Sequence, residues 1–380
     1  AAPPIRQGRL VTVLLSRDAQ KIAIGAASGG RWTEHPPRNW QRAVPAGVSD
    51  VEGAGYLLKV NGEVVPSAAA RFVPDDGLFR WDGRFWRGEL IVTFDPSTGL
   101  RALERVAMDD YLRGVLPCEM PPRWPQVALK SQAVAARTYA RHRITASDGR
   151  NYLKLTDMAY RGIGAEDRRT DRAVRETAGV VMEWKDKPFP AFFHSTCGGR
   201  TVSANGVFGG PDIPPLRGGP CDWCKSSPHY RWSREISREE LAEKLGDFGV
   251  HSVRSLQVIE SEAPTHFRKV VLNGRKVLSP AAFRSAVGSR VIKSTAFSIE
   301  PRAQTIRFKG NGWGHRVGLC QWGACGMASN GYGWRRILEH YYPDAEIRPT
   351  AGQQLRQAAA GERPRPVGTA GDTQPRTGTD

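Results

Sequence analysis

The sequence predicts an α+β protein with a β-rich N-terminal region, a helical core, a further mixed α/β segment and a disordered C-terminal tail. Short β-branched or aromatic runs separated by Gly, Pro and Asp predict strands as far as about Phe94. Helical spacing begins near Ala107, and the segment from residue 348 has no aromatic and too few apolar side chains to fold. We therefore expect the regions 1–105, 106–347 and 348–380.

The N-terminal strands are predicted from the runs RLVTVLLS, GYLLKVNGEVV and GELIVTFDPSTG. Within the second run, Asn61 and Gly62 separate two apolar stretches. This dipeptide favours a two-residue hairpin loop, because both residues tolerate positive φ.

Helices are predicted over DDYLRGVL, from Pro125 to about Ile144, from Asp167 to Thr177 and from Ser237 to Gly246. Pro125 suits a first helical turn, and Ser237 with a glutamate three residues later forms a capping pattern. Residues 194–230 include a Gly-, Pro- and Cys-rich stretch that predicts a structured loop.

Composition limits the class of protein. The chain has 380 residues, 40% of them hydrophobic, and no apolar run approaches the roughly 18 residues of a membrane span. The opening AAPP suggests a mature exported protein, and we expect an extracytoplasmic location. The net charge of +17 suits nucleic acid, a membrane surface or an anionic cell-wall polymer, or reflects general arginine usage. No nucleic-acid-binding signature is present, so we expect no specific nucleic-acid partner.

One carboxylate, Glu119, lies between an apolar run and a proline-broken turn. Apolar neighbours raise the pKa of an acid, which makes a glutamate useful as a proton donor. In the helix that follows, Lys130 and Arg137 share one face, and Ser131 lies on the neighbouring stripe. We expect these side chains, with Tyr139, to contact a polar, anionic polymer. Alternatively, Glu119 caps the helix and the cations are solvated.

A glycine-rich stretch, GNGWGHRVGLCQWGACGMA (310–328), lacks the context of a nucleotide-binding loop. Glycines beside Trp313, His315, Gln321 and Trp322 suggest backbone packed against a ligand between aromatic walls. His315 could equally be structural.

Four blocks in order resemble the stage II sporulation protein D / LytB family. They are DDYLRGVLPCEMPPRWPQVALKSQAVAARTYA, FFHSTCGGRT, FRSAVGSRVIKSTAFSI and the glycine-rich stretch. The resemblance implies a lytic transglycosylase acting on peptidoglycan glycan strands, especially peptide-stripped ones. Glu119 matches the family's catalytic acid/base. The matching substrate-binding residues are Lys130, Arg137, His315 and Gln321.

The chain departs from the family pattern at two positions. Arg316 stands where the family usually has Gly, and Cys320 stands where it usually has Ser. Members of the LytB type have been described as amidase enhancers, so glycan binding that stimulates a cell-wall amidase is the alternative function. A nucleic-acid binder is the third and weakest hypothesis, because it depends on charge alone.

The cysteines indicate a structural zinc site. His194-x-x-Cys197 followed by Cys221-x-x-Cys224 has the spacing of a tetrahedral site, and His229 lies five residues further on. We expect the three cysteines and either His229 or His194 as ligands. A disulfide between two of the three is the alternative. For the other three cysteines we expect either a disulfide from Cys118 to Cys320 or Cys325, or free thiols.

Overall fold

A computed structural model describes residues 10–145, 151–260 and 268–349. It has the mixed α+β architecture predicted from the sequence. Within these residues, no helix combines the length and apolar character needed to span a membrane. The predicted tail lies almost wholly outside the described residues, although a final strand continues to Pro349 and so enters it by two residues.

Twelve strands form the N-terminal region. They are β1 (Leu10–Ala19), β2 (Lys21–Ala26), β3 (Gly30–Glu34), β4 (Gln41–Val44), β5 (Gly47–Ala54), β6 (Leu57–Val60), β7 (Glu63–Val65), β8 (Ala69–Pro74), β9 (Leu78–Trp81), β10 (Arg84–Arg87), β11 (Glu89–Asp95) and β12 (Gly99–Ala107).

These strands build two sheets that share one core. The first has the order β13-β1-β12-β11-β8-β3-β4, with β13 (Leu153–Lys154) at its edge, and the second has the order β10-β9-β2-β5-β6-β7. Alternating side chains of β1 are buried at Val11, Val13 and Leu15, as period-two strands require. The predicted hairpin is confirmed: Asn61 and Gly62 have φ values of 51° and 82° and join β6 to β7.

The central region is helical. Its elements are α1 (Met108–Glu119), α2 (Gln126–Thr145), α3 (Arg168–Glu176), β14 (Val180–Trp184), β15 (Lys187–Pro188), β16 (Phe193–His194) and α4 (Ala204–Phe208). Helix α2 is surrounded by protein, and its alanines at 128, 133, 135, 136 and 140 are fully buried. Small side chains let α3, β14 and the C-terminal helices approach it closely.

The last part of the chain adds a second core and then returns to the first. Its elements are β17 (Arg231–Ser237), α5 (Arg238–Lys244), β18 (Leu256–Glu260), β19 (Arg268–Leu272), β20 (Lys276–Leu278), α6 (Pro280–Val287), β21 (Phe297–Pro301), β22 (Thr305–Asn311), β23 (Leu319–Cys320), α7 (Gln321–Ser329), α8 (Trp334–Tyr341) and β24 (Glu346–Pro349). Trp232, Phe283 and Phe308 are buried in the second core. Strand β23 pairs with β16, and β24 pairs with β14, so the last described elements join the central region.

The N-terminal sheets are joined directly to the helical region. Strand β12 ends at Ala107 and α1 begins at the next residue. Tyr160 Oη donates a hydrogen bond of 2.8 Å to the buried Glu104 of β12. Glu166 accepts from Arg87 of β10 at 2.7 Å and from Arg113 of α1 at 2.6 Å. The sheets therefore fix the position of α1.

Candidate active site

One cavity of about 290 Å³ collects side chains from separate parts of the chain. Its walls come from the end of α1, strand β16, helix α6, the loop after β22 and the start of α7. The lining residues are Glu119, Phe193, His194, Ser195, Arg284, Trp313, Gly314, His315 and Gln321. The structure therefore brings Glu119, His315 and Gln321, which were chosen from two distant sequence stretches, to one place.

Glu119 is the last residue of α1 and the only carboxylate among the described residues that line the cavity. Its Oε1 accepts a hydrogen bond of 2.6 Å from the backbone N–H of Ala159. Burial raises the pKa of Glu119, and this hydrogen bond lowers it by less. Glu119 therefore does not cap α2, and within the described part of the chain no cation pairs with it.

Two histidines stand beside this acid in fixed orientations. His315 Nδ1 accepts the backbone N–H of Val317 at 3.0 Å, so the neutral ring carries its proton on Nε2. Burial lowers the pKa of His315 to about 4, and the ring is neutral near pH 7. His194 Nδ1 lies 3.1 Å from Val317 O and donates to it, so its buried Nε2 is an acceptor with no partner among the described residues.

Several glycines of the 310–328 stretch pack closely against other parts of the protein. A Cβ on Gly314 would lie 2.8 Å from His194 Cβ, and one on Gly318 would lie 2.0 Å from Phe192 O. Both glycines also have positive φ. The loop can therefore lie directly on the 192–197 segment, and this places His315 over the cavity.

The structure places Lys130 and Arg137 away from the cavity. The two cations share a face of α2, as predicted, but that face packs against α3 and the turn after it. Lys130 Nζ pairs with Glu176 at 2.5 Å. Arg137 is 1% exposed, pairs with Asp109 at 2.9 Å and donates to the backbone oxygens of Val174 and Val180. Neither residue occupies the substrate-contacting position expected from the sequence.

The other predicted binding residues divide in the same way. Ser131 is buried and donates to the backbone oxygens of Val127 and Trp334, so it is a packing residue. Tyr139 is half-buried and its ring lies 5.8 Å from that of Phe192, near the cavity but outside its lining. Gln321 is the first residue of α7 and donates to Gln132 at 3.5 Å.

Arg284 is a cavity residue that the sequence analysis missed. It lies near the end of α6, and its Nε donates to Lys293 O at 3.1 Å. No carboxylate pairs with it among residues 10–145, 151–260 and 268–349. Its position in the block FRSAVGSRVIKSTAFSI was visible, but nothing in that block showed that it would line the same cavity as Glu119.

Four buried cysteines form a cluster that could bind a metal ion. The sulfurs of Cys197, Cys221, Cys224 and Cys320 all lie within 4.8 Å of one another. A tetrahedral zinc site with Zn–S bonds of about 2.3 Å separates its sulfurs by about 3.8 Å, so the donor set and spacing fit. Backbone N–H groups of Cys197 and Gly323 donate to the Cys320 sulfur at 3.2 and 3.3 Å, as expected around a thiolate.

This cluster corrects the predicted ligand set. Cys320, and not a histidine, is the fourth member. His229 Nδ1 lies 3.1 Å from Lys293 Nζ, and His194 is held by Val317. All six cysteines are free, so the disulfide alternatives, including a bridge from Cys118, are not formed.

Both departures from the family pattern touch this cluster. Arg316 has a φ of 68°, which suits the glycine usual there. Its guanidinium donates to the backbone oxygens of Cys197 and Arg200 at 2.9 Å each. The arginine thus ties down the loop that carries Cys197, while Cys320 completes the set of four sulfurs.

Together these features define a candidate acid–base site: a single poorly solvated carboxylate, two neutral histidines and a cation around a small polar cavity. The family profile described as "SpoIID: Stage II sporulation protein" matches residues 96–184. The chain belongs to this family.

Relatives extend the similarity beyond that segment. An uncharacterized protein of Brachyspira hyodysenteriae is 32% identical over 297 residues, which cover 76% of this chain and 79% of the relative. Stage II sporulation protein D of Bacillus subtilis is 28% identical, over 66% of this chain and 77% of its own length. A Bacillus subtilis protein named "Amidase enhancer" is 25% identical, over 62% of this chain but only 40% of its own length.

Proposed function

We propose that the protein is a lytic transglycosylase that cleaves peptidoglycan glycan strands, with Glu119 as its single acid/base. The observation that carries this proposal is the cavity itself: one partly buried carboxylate with a raised pKa, free of any ion pair within the described residues, beside His315. Such a substrate lies outside the cytoplasm, so we also propose an extracytoplasmic location.

A single carboxylate suits this reaction better than hydrolysis. Glycosidases that use water usually need a second carboxylate as base or nucleophile. In a transglycosylase, protonated Glu119 gives its proton to the glycosidic oxygen as the bond to C1 breaks. The muramoyl 6-hydroxyl then attacks C1, its proton passes to the Glu119 carboxylate, and a 1,6-anhydro end forms. The acid is regenerated and no water is consumed.

The two histidines are neutral near pH 7 and therefore do not compete with Glu119 for the proton. His194 Nδ1 donates to Val317 O, and its Nε2 is buried without a partner among the described residues. His315 is neutral because burial lowers its pKa to about 4. Neither ring carries a charge that would lower the pKa of Glu119 near neutrality.

A second cavity offers further room for a linear polymer. It has a volume of about 600 Å³ and lies on the sheet of β17, β21 and β22. Its polar wall includes Arg231, Ser233, Lys309 and Asn311. Asn311, which lines this cavity, is two residues along the chain from Trp313, which lines the first cavity. Further sugars of the same strand can therefore continue onto this sheet.

Zinc is the metal that we propose for the four-cysteine cluster. Four thiolates give a closed site with no open coordination position, and so a structural role. Cys320 caps α7, whose first residue Gln321 lines the cavity, and Cys197 follows Ser195 closely on the opposite wall. The bound metal would hold two walls of the cavity together.

The direct test is product identification. Peptide-free glycan strands incubated with the protein should give strands with 1,6-anhydro-muramoyl ends, detected by mass spectrometry. Reducing ends formed with uptake of water would instead identify a hydrolase. Strands left intact would remove the transglycosylase proposal.

The amidase-enhancer relative supports a second candidate function, in which the protein binds glycan and stimulates a cell-wall amidase. The same cavity would then hold the strand without cleaving it. Stimulation of a purified amidase, undiminished when Glu119 is replaced, together with no anhydro product, would favour this function.

The pH dependence of cleavage should report the raised pKa of Glu119. The first step needs the protonated acid, so kcat/KM should fall as pH rises through this pKa, above the usual 4.5 of a glutamate. Because the pKa of His315 is lowered to about 4, its titration should not change the rate near neutral pH. A profile measured from about pH 4 to about pH 9 checks this. A limb at an unshifted glutamate pKa would contradict the role of burial.

A further inference from the structure

Unlike Arg137 and Arg113 of the helical core, Arg284 of α6 has no carboxylate partner among the described residues. Arg137 pairs with Asp109, and Arg113 pairs with Asp110, Glu166 and Asp171. Arg284 makes one hydrogen bond, from Nε to Lys293 O, within the described residues. Its two terminal nitrogens therefore remain for a ligand.

Partial burial removes some of the water around the Arg284 guanidinium, and the bond to Lys293 O replaces only part of it, so a bound anion would stabilise the charge. Burial lowers the pKa of Arg284 but leaves the group charged, since the pKa of an arginine lies far above neutrality. The charge also reaches His315 across the cavity, where it helps to keep that ring neutral. An anion bound between Arg284 and His315 would balance the charge of Arg284.

The chemistry of the proposed substrate limits what this anion is. In a glycan strand the only anionic group close to the scissile bond is the lactyl carboxylate on the muramoyl sugar. That carboxylate is free only when the peptide has been removed, because an attached peptide converts it into a neutral amide. Guanidinium binds carboxylate with two parallel hydrogen bonds, whereas an amide offers one acceptor and no charge.

We propose that Arg284 binds the lactyl carboxylate of a peptide-free muramoyl residue and thereby selects stripped glycan over peptide-bearing glycan. This inference rests on the proposed function, since it places a muramoyl residue in the cavity. Glu119 remains the acid. Arg284 determines specificity through binding alone.

Two substrates that differ only in this group provide the test. Peptide-free strands are divided, and in one half the lactyl carboxylates are converted with methylamine into neutral methylamides. The wild-type protein should show a kcat/KM about 10- to 100-fold higher on the carboxylate strands, as expected for a charged hydrogen-bonded pair. Arg284→Gln should lose that preference by slowing on the carboxylate strands while changing less than about threefold on the methylamide strands.

Controls separate this role from a structural one. Arg290→Gln removes an exposed arginine from the same segment and should leave the preference intact. Arg284→Lys keeps a cation and should retain part of the preference. Equal losses on both substrates in Arg284→Gln, or no preference in the wild type, would overturn the proposal.

The outcome does not depend on cleavage. Dissociation constants for both strands, measured with the Glu119→Gln variant, test carboxylate recognition even if no anhydro product is ever found. A protein that prefers carboxylate strands through Arg284 but does not cleave them would refute the transglycosylase and keep this inference. Cleavage of both strands at equal rates would support the transglycosylase and refute this inference. A preference retained in Arg284→Gln would assign the carboxylate to another cation.

Discussion

Replacing Glu119 with glutamine should lower the rate of glycan cleavage by about 1,000-fold or more. The amide keeps the shape of the side chain and can still face the N–H of Ala159 through its oxygen. It cannot donate a proton to the glycosidic oxygen or accept one from the 6-hydroxyl. Both steps lose their only proton carrier, since no other carboxylate lines the cavity among the described residues.

The loss should appear in kcat and not in binding, because the glutamine fills the same space. Single-turnover rates and dissociation constants measured side by side check this. Glu243→Gln, which changes an exposed glutamate of α5, provides the matched control and should cleave at the wild-type rate. Equal activity of Glu119→Gln and wild type would remove Glu119 from the mechanism.

Replacing Cys320 with serine should remove the bound metal and lower the melting temperature by about 10 °C, since structural zinc contributes directly to folding energy. Serine is the residue that the family usually has here, so its size is accommodated and the change removes only the sulfur ligand. The remaining three cysteines cannot close a tetrahedral site without a fourth donor.

Elemental analysis of protein purified without chelator should give about one zinc ion per wild-type chain and much less per variant chain. Cys325→Ser is the matched control, because Cys325 lies five residues away on α7 and outside the cluster. It should retain zinc and stability. Wild-type protein that contains no stoichiometric metal would refute the proposed zinc site.

Patterns among neighbouring residues predict a large part of the fold. The alternation in β1, the Asn61-Gly62 loop and the alanine-rich helix α2 each follow from neighbouring residues, so the sequence alone predicts them. Periodicity also showed that Lys130 and Arg137 share a face. It could not show that this face packs on α3, because helical spacing says nothing about what lies opposite.

The parts of the site that could not be predicted depend on distant partners. Cys320 meets Cys197 across 123 residues, whereas ligand spacing within the 194–230 loop suggested a histidine nearby. Arg284 reaches the cavity only because the second core is attached beside the first. A free cation and a paired one look identical in a sequence.

The direct join between β12 and α1 has a consequence for how the protein can be divided. The family match begins at residue 96, yet strands β1 to β11 precede it, and Arg87 of β10 binds Glu166, which also binds Arg113 of the helix that ends at Glu119. A version trimmed to that starting point would keep Glu119 but lose the strands that support α1. The N-terminal sheets are thus part of the support of the candidate active site, and the family-matched segment does not contain that support by itself.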